Sequence, residues 1–320
     1  MTEIAITGAA AVVDDRLGAL PETIRSRAAR VERVTQLALA AAGHALAEAG
    51  LAVTDGPPRP RMGVALGTAF GCFVTNAAYQ RRVAADGPKV ASPRLFSATV
   101  SNAAAGEIGI GYRLGGPAVT LTAGGAAGLA AIAHAADLVA TGRADAMVAG
   151  GMDACDAALE RWLGDGGLAM GEAPPRDGAA VVVLEPVLAA RRRGAAERGR
   201  IVGHAAGFTP ARDRDAAGVR SAIEAALADA GVRPAELSQV IVRDVPTTAE
   251  RTRRALHAVL DGTQPHIQHP SASYGETFAA ACPLALVGAL ADASPAPFLL
   301  LDVCPSGHVA ALVAAGAGRA

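Results

Sequence analysis

The segment from Gly116 to Leu129 has the pattern of a strand that turns sharply into a helix. An apolar run, Ala118 to Leu121, ends in small residues, and an alanine-rich stretch follows from Ala126. In that geometry the free N–H groups and the dipole of the helix stabilise a thiolate or an oxyanion at the turn. The turn carries Gly124 and Gly125, so the pattern predicts a nucleophile position without a nucleophile. Two glycines also suit close strand–helix packing or a positive φ angle, and the sequence leaves this alternative open.

Short apolar runs alternate with alanine-rich stretches along the whole chain, which indicates an α/β fold. The predicted strands cover residues 4–6, 62–66, 118–121, 146–149, 179–184, 201–205, 240–242, 298–301 and 309–313. The predicted helices cover residues 31–49, 73–84, 126–141, 216–230, 249–260 and 277–291. Gly50, Gly142 and Gly231 follow three of these helices, which predicts left-handed caps there.

Composition excludes several classes of function. The chain has 320 residues, a net charge of −1, 18% charged residues and 3% aromatic residues, which disfavours a nucleic-acid or polybasic membrane surface. The acidic start and the lack of a long apolar stretch predict a cytoplasmic protein without a membrane span. The four cysteines are far apart, and His266 and His269 have no further ligand near them in the sequence, so we expect neither a metal nor a cofactor.

Four segments, residues 102–117, 144–153, 176–185 and 190–195, carry a family resemblance through their order and spacing. Through these four segments, the chain resembles the β-ketoacyl synthases, the thiolase-fold condensing enzymes of fatty acid and polyketide synthesis. The resemblance implies a thiolase-like fold of two similar halves in α/β/α/β/α layers. We expect the halves to cover residues 1–190 and 200–320, with the hinge near residues 191–200.

The same resemblance implies which catalytic positions have changed. Gly125 stands where the family has the cysteine that takes the acyl chain. Asp244 and Glu276 stand where the family has two histidines that help to decarboxylate the malonyl unit. An ionised carboxylate accepts hydrogen bonds but donates none, so it cannot stabilise an enolate as a histidine does. All three catalytic positions are therefore predicted to be emptied.

Among synthase-like proteins, this pattern resembles the chain length factor, the inactive subunit that pairs with an active ketosynthase in type II polyketide systems. The resemblance implies a heterodimer that acts on chains held by an acyl carrier protein. Residues Phe96, Thr99, Val100 and Ala103, near helical spacing, are predicted to line the acyl tunnel at the subunit interface. There the small Ala103 would lengthen the tunnel and Phe96 would stop it. Ordinary core packing is the alternative for each of them.

A second interpretation makes the chain an enzyme with a relocated nucleophile. Thiolases place a second cysteine on the C-terminal loop, and here that loop carries Cys304, with His308 as a candidate base. The reaction would be acyl transfer or decarboxylation. A buried, inert cysteine is the alternative at this position. A scaffold without a tunnel is the third interpretation of the chain.

Overall fold

The computed structural model describes residues 2–14, 17–166, 173–210, 216–263, 265–292 and 294–318. Within them the strands are β1 Ile4–Val13, β2 Met62–Gly67, β3 Ala118–Leu121, β4 Ala146–Asp153, β5 Gly178–Pro186, β6 Gly199–Phe208, β7 Gln239–Arg243, β8 His266–Gln268, β9 Pro297–Val303 and β10 His308–Gly316. The helices are α1 Glu22–Ala28, α2 Arg33–Glu48, α3 Phe73–Asp86, α4 Pro93–Ser97, α5 Ala103–Gly111, α6 Ala127–Ala140, α7 Ala157–Asp165, α8 Val187–Arg192, α9 Ala217–Ala230, α10 Pro246–Val259, α11 Ser271–Tyr274 and α12 Ala281–Ala291. Short 3₁₀ helices lie at Pro88–Val90, Pro234–Glu236 and Phe278–Ala280.

The strands form one sheet in the order β3-β2-β4-β5-β1-β6-β10-β9-β7-β8. Its first five strands and its last five repeat one pairing scheme in mirror order. β2 pairs parallel with β3 and β4, and the next two pairings, β4 with β5 and β5 with β1, are antiparallel. β7 likewise pairs parallel with β8 and β9, and the pairings of β9 with β10 and of β10 with β6 are antiparallel. A short antiparallel contact between β1 and β6 joins the two sets.

Three apolar cores separate the layers. One lies between the first five strands and helices α2 and α5, and another lies between the last five strands and helices α9 and α10. The central core contains α6 and α12 together with residues from both sets of strands. Strands β2 and β4 are buried along their entire length, as expected for strands covered on both faces. The predicted α/β class with layered, thiolase-like architecture is confirmed, and the division at residues 190–200 stays a prediction.

Most predicted elements are present with small shifts at their ends. All nine predicted strands are found, whereas β8 was not predicted because its three exposed residues form no apolar run. Gly50, Gly142 and Gly231 have φ angles of 68°, 67° and 64°, so the predicted left-handed caps are confirmed. Helix α12 begins later than predicted because residues 278–280 form a 3₁₀ turn first. Among the helices of the described ranges, none is both long enough and apolar enough to cross a bilayer.

Candidate active site at the glycine turn

The turn between β3 and α6 places two glycines at the start of the central helix. Gly124 has a φ of 59°, so a residue that tolerates the left-handed region is required there. The space beside Gly125 is already taken, since a Cβ added at this residue would lie 2.0 Å from Nη1 of Arg243. The turn is therefore closed to any side chain at position 125 while Arg243 keeps its place. The sequence left open that a positive φ angle explains the two glycines, and the structure has a positive φ at Gly124.

Arg243 is the last residue of β7 and is 5% exposed. Its neighbour across the parallel ladder to β9 is Asp302, so both side chains point to the same face of the sheet. Nη1 of Arg243 donates to Oδ1 of Asp302 at 3.3 Å, and Nε donates to Oε1 of Glu276 at 3.1 Å. Nη2 also lies 3.1 Å from Oε1 of Glu276. One guanidinium thus holds two buried carboxylates beside the turn.

The loop that carries Glu276 is fixed by backbone contacts. The Glu276 N–H donates to the carbonyl of Pro174, and the Glu276 carbonyl accepts from the N–H of Arg176. Oε1 of Glu276 also accepts from the N–H of Phe278 at 2.6 Å. Phe278 has a φ of 52°, a costly conformation for an aromatic residue. The carboxylate of Glu276 therefore supports a strained turn as well as pairing with Arg243.

The buried triad of Arg243, Glu276 and Asp302 carries one positive and two negative charges when fully ionised. Burial raises the pKa of Asp302 to about 7, with Arg243 opposing the shift and Glu276 adding to it. Burial acts to lower the pKa of Arg243, but the two carboxylates outweigh it and the pKa is raised. Oδ2 of Asp302 is buried and has no hydrogen-bond partner within the described ranges. A proton on Asp302 would make the triad neutral.

Asp244 lies next to Arg243 in the chain but faces away from the glycine turn. It is half-buried, and its Oδ1 is 3.6 Å from Nδ1 of His269. The structure therefore brings Gly125 and Glu276 together and leaves Asp244 in another cavity. Arg243 and Asp302 were missed by the sequence reasoning. The sequence feature that could have identified them is a charged residue directly after an apolar run: Arg243 follows Val240–Val242, and Asp302 follows Phe298–Leu301.

Cys304 lies on the other side of the turn. A Cβ at Gly124 would be 2.3 Å from Sγ of Cys304, which shows how closely the sulfur approaches the turn. Oγ of Ser306 donates to this sulfur at 3.1 Å and lies 3.0 Å from Nδ1 of His308. Cys304 is 6% exposed. The side chains of the predicted pair, Cys304 and His308, are thus linked through Ser306, and the Cys304 N–H donates to the His308 carbonyl at 2.9 Å.

A third buried carboxylate, that of Asp153, joins segment 68–70 to the segment that follows Glu276. Asp153, at the end of β4, accepts hydrogen bonds from the hydroxyl of Thr68 and the N–H groups of Ala69 and Ala279. Burial raises the pKa of Asp153 to about 6, although these hydrogen bonds oppose the shift. The same tie holds the ring of Phe70 4.8 Å from that of Phe278. Segments 68–70 and 276–280 are therefore fixed relative to each other.

The predicted tunnel residues lie on a separate face. Phe96 in α4 is 58% exposed and contacts Tyr79 with ring centroids 5.9 Å apart, and Val100 is 48% exposed. The predicted helical spacing from Phe96 to Ala103 is wrong, because α4 ends at Ser97 and α5 begins at Ala103. The amide of Asn76 donates to the carbonyl of Thr99 and holds the turn between these helices. Phe96 and Val100 are too exposed to be core residues, so the alternative of ordinary core packing does not apply to these two positions.

The chemistry available at the glycine turn follows from these contacts. The turn has backbone N–H groups at the start of a helix, but the neighbouring volume holds a guanidinium that is already paired. Within the described ranges, no group of three or more His, Cys, Asp or Glu side chains could hold a metal ion. The layered fold and its glycine turn define a thiolase-fold protein of the ketosynthase-like class.

Comparisons with known proteins assign the family. The model of the beta-ketoacyl synthase N-terminal domain matches residues 3–162. A polyketide beta-ketoacyl synthase 2 of Streptomyces coelicolor is 32% identical, over 88% of this chain and 73% of that protein. The chain therefore belongs to the beta-ketoacyl synthase family.

Solved structures agree on the fold. The ishigamide ketosynthase/chain length factor matches with a TM-score of 0.85 at 18% identity, covering 99% of this chain and 100% of that one. A type II PKS acyl-carrier protein in complex with its ketosynthase bound to the hexaketide matches with a TM-score of 0.82 at 19% identity. This match covers 98% of this chain and 99% of that one. At such identities, the matches establish the architecture alone.

Replacing Arg243 tests how much this cation contributes to the free energy of unfolding. In Arg243→Met, two buried carboxylates lose their shared partner, so we expect the free energy of unfolding to fall by about 3–5 kcal/mol in urea denaturation. Arg253→Met, at an exposed ion pair on α10, should cost no more than about 1 kcal/mol. The triple variant Arg243→Met/Glu276→Gln/Asp302→Asn should recover much of the loss. An Arg243→Met protein as stable as the Arg253 control would contradict this picture.

The raised pKa of Asp302 predicts a pH-dependent stability. Its folded-state pKa of about 7 lies above its ordinary value of 3.8, so the folded protein binds the proton more tightly than the unfolded chain. Its stabilising contribution is complete below about pH 4 and is lost as the pH rises through about 7. We expect urea denaturation to show the wild type losing stability relative to Asp302→Asn between about pH 4 and 7. A constant difference across this range would refute the assignment.

Proposed function

We propose that the chain is a non-catalytic ketosynthase-like subunit, a chain length factor. In this role it pairs with an active β-ketoacyl synthase and shapes the tunnel that limits the length of a polyketide or polyene chain. The growing chain would be carried by an acyl carrier protein. Two similar proteins support this role: the Streptomyces coelicolor relative is named as a polyketide synthase, and the ishigamide protein is described as a ketosynthase/chain length factor.

The observation that carries the proposal is the position of Arg243. A family nucleophile at position 125 would need the volume that this guanidinium occupies, 2.0 Å from the Cβ position. Both groups that hold Arg243, Glu276 and Asp302, are buried carboxylates. When ionised they accept hydrogen bonds and donate none, so they cannot stabilise an enolate as the family's histidines do. The turn is therefore filled by a structural ion cluster where the family carries out acyl transfer.

An accessible apolar surface supports pairing with a second subunit. Phe96, Val100 and Ile110 are 58%, 48% and 56% exposed, and all three lie on or between α4 and α5. Strand β3 ends the sheet on the same half of the chain and leaves one edge unpaired within the described ranges. Apolar side chains and an open strand edge are features that a partner subunit covers.

A cavity of about 730 Å³ lies beside this surface. Ala103, Leu95 and Ala98 contribute to its wall, and Arg27 and Arg82 reach it from α1 and α3. Its volume is in the range that holds a small-molecule ligand. The position of Ala103 in this wall supports its predicted role, because a larger side chain there would reduce the volume directly.

The enzyme alternative keeps one specific observation in its favour. Sγ of Cys304 lies at the glycine turn, and Ser306 connects it to His308 by contacts of 3.1 and 3.0 Å. A thiol at a helix start with a linked imidazole is an arrangement that can activate a nucleophile. Against it, Cys304 is almost completely buried and its hydrogen-bond neighbour is a hydroxyl.

Intact-mass measurement separates the two functions. After incubation of the purified chain with a malonyl or acyl thioester of a carrier protein, the proposed function predicts no covalent acyl adduct, because position 125 has no nucleophile and no room for one. The same sample with the active ketosynthase subunit should show the adduct on that subunit. An adduct on this chain that turns over and disappears in Cys304→Ser would establish the alternative.

Ala103→Phe tests the tunnel. Filling the cavity wall should shorten the products that the paired subunits make, measured by mass spectrometry of the carrier-bound acyl chains. Ala84→Phe is the control, because Ala84 is exposed on α3 outside the cavity wall and should leave product length unchanged. Products of unchanged length from a stably paired Ala103→Phe variant would reject the tunnel assignment.

A further inference from the structure

A second cavity, of about 740 Å³, opens between α10 and β8, away from the glycine turn. It lies just past the carboxyl ends of the parallel strands β7 and β8, which lead into Asp244 and His269. Such crevices are where open α/β sheets bind ligands. Its lining includes three buried apolar side chains, Val242, Leu256 and Leu260, and the exposed Ile267.

Asp244 is the least exposed of the charged and imidazole side chains that line this cavity, since Arg253, His257, Asp261 and His269 are all exposed. The Asp244 side chain is 15% exposed, and Nδ1 of His269, at 3.6 Å, is too far for a good hydrogen bond. Burial raises the pKa of Asp244, and the opposing charges of His269 and Arg243 do not offset it. This carboxylate is therefore largely desolvated, and its nearest cationic partner is the His269 imidazole at 3.6 Å.

The remaining charges at the opening do not neutralise Asp244. Arg253 is held by Glu250 through contacts of 3.0 and 2.7 Å. Asp261 adds another carboxylate at the rim, and His257 and His269 are exposed imidazoles. A ligand that enters past this rim meets apolar side chains and a carboxylate whose nearest partner is an exposed imidazole at 3.6 Å.

We propose that this cavity binds an amphiphilic amine, with the apolar body against Leu256, Leu260 and Ile267 and the cationic nitrogen at Asp244. Pockets of this volume, mostly apolar with a few converging polar groups, are typical of small-molecule sites. An anionic ligand of the same shape would face Asp244 and Asp261. A neutral alcohol would donate only an uncharged hydrogen bond to Asp244, which is weaker than one from a cationic nitrogen. The proposal does not depend on the function of the glycine turn.

Three probes with the same chain length test the proposal by isothermal titration calorimetry on the full chain at pH 7.5: n-octylamine, n-octanol and octanoate. We expect saturable binding of octylamine, at least about tenfold tighter than that of octanol, with octanoate weakest, because a hydrogen bond from a charged donor is stronger than one from a neutral donor. Asp244→Asn should weaken octylamine binding at least about tenfold and leave octanol binding nearly unchanged. Asp292→Asn, on an exposed residue outside this cavity, is the matched control.

Ile267→Trp provides a test that does not involve charge. Ile267 is 46% exposed on the edge strand β8, so a larger ring can fill the cavity opening with little strain on the fold. We expect it to abolish binding of octylamine and octanol alike while the melting temperature stays within a few degrees of the wild type. The proposal is overturned if octylamine shows no saturable binding, if octanol binds equally well, or if Asp244→Asn or Ile267→Trp binds octylamine like the wild type.

Discussion

One buried guanidinium, shared by two carboxylates, determines which side chains fit at the central site of this molecule. Arg243 and Asp302 are neighbours on adjacent parallel strands, so the sheet itself aims both side chains at the turn before α6. Glu276 completes the set from a loop that is pinned to residues 174–176. Because charges in an apolar interior are tolerated only with partners, each member of the triad constrains the other two. The glycine at position 125 follows from the same constraint.

The repeated pairing scheme explains why groups far apart in the chain meet. Each set of five strands covers one side of the central layer, and helices α6 and α12 pack in that layer against both. The turn before α6 belongs to the first set, whereas Arg243 and Asp302 belong to the second. Asp153 adds a direct tie, since it accepts from segment 68–70 and from Ala279. The site is therefore a product of the contact between the two sets.

The sequence predicted the backbone better than the side-chain contacts. Strands such as β4 and β5 are covered on both faces, so their unbroken apolar runs identify them, and glycines after α2, α6 and α9 mark the helix ends. The three-residue strand β8 has no such run, and the break between α4 and α5 depends on a contact from Asn76 to Thr99. The emptied turn was predicted at Gly125. Arg243 lies beside this turn and Asp244 does not, because the side chain of Arg243 faces the central layer. The sequence pattern did not predict which of these two neighbouring side chains faces that layer.

The crowding beside Gly125 also bears on how the site could change over time. A side chain larger than hydrogen does not fit at position 125 while Arg243 keeps its place, and moving Arg243 takes it away from two buried acids. Each single step is therefore disfavoured even where the combined change would fit. Residues 125, 243, 276 and 302 are therefore expected to tolerate substitution only as a group, and the energetic effects of changing them should not add.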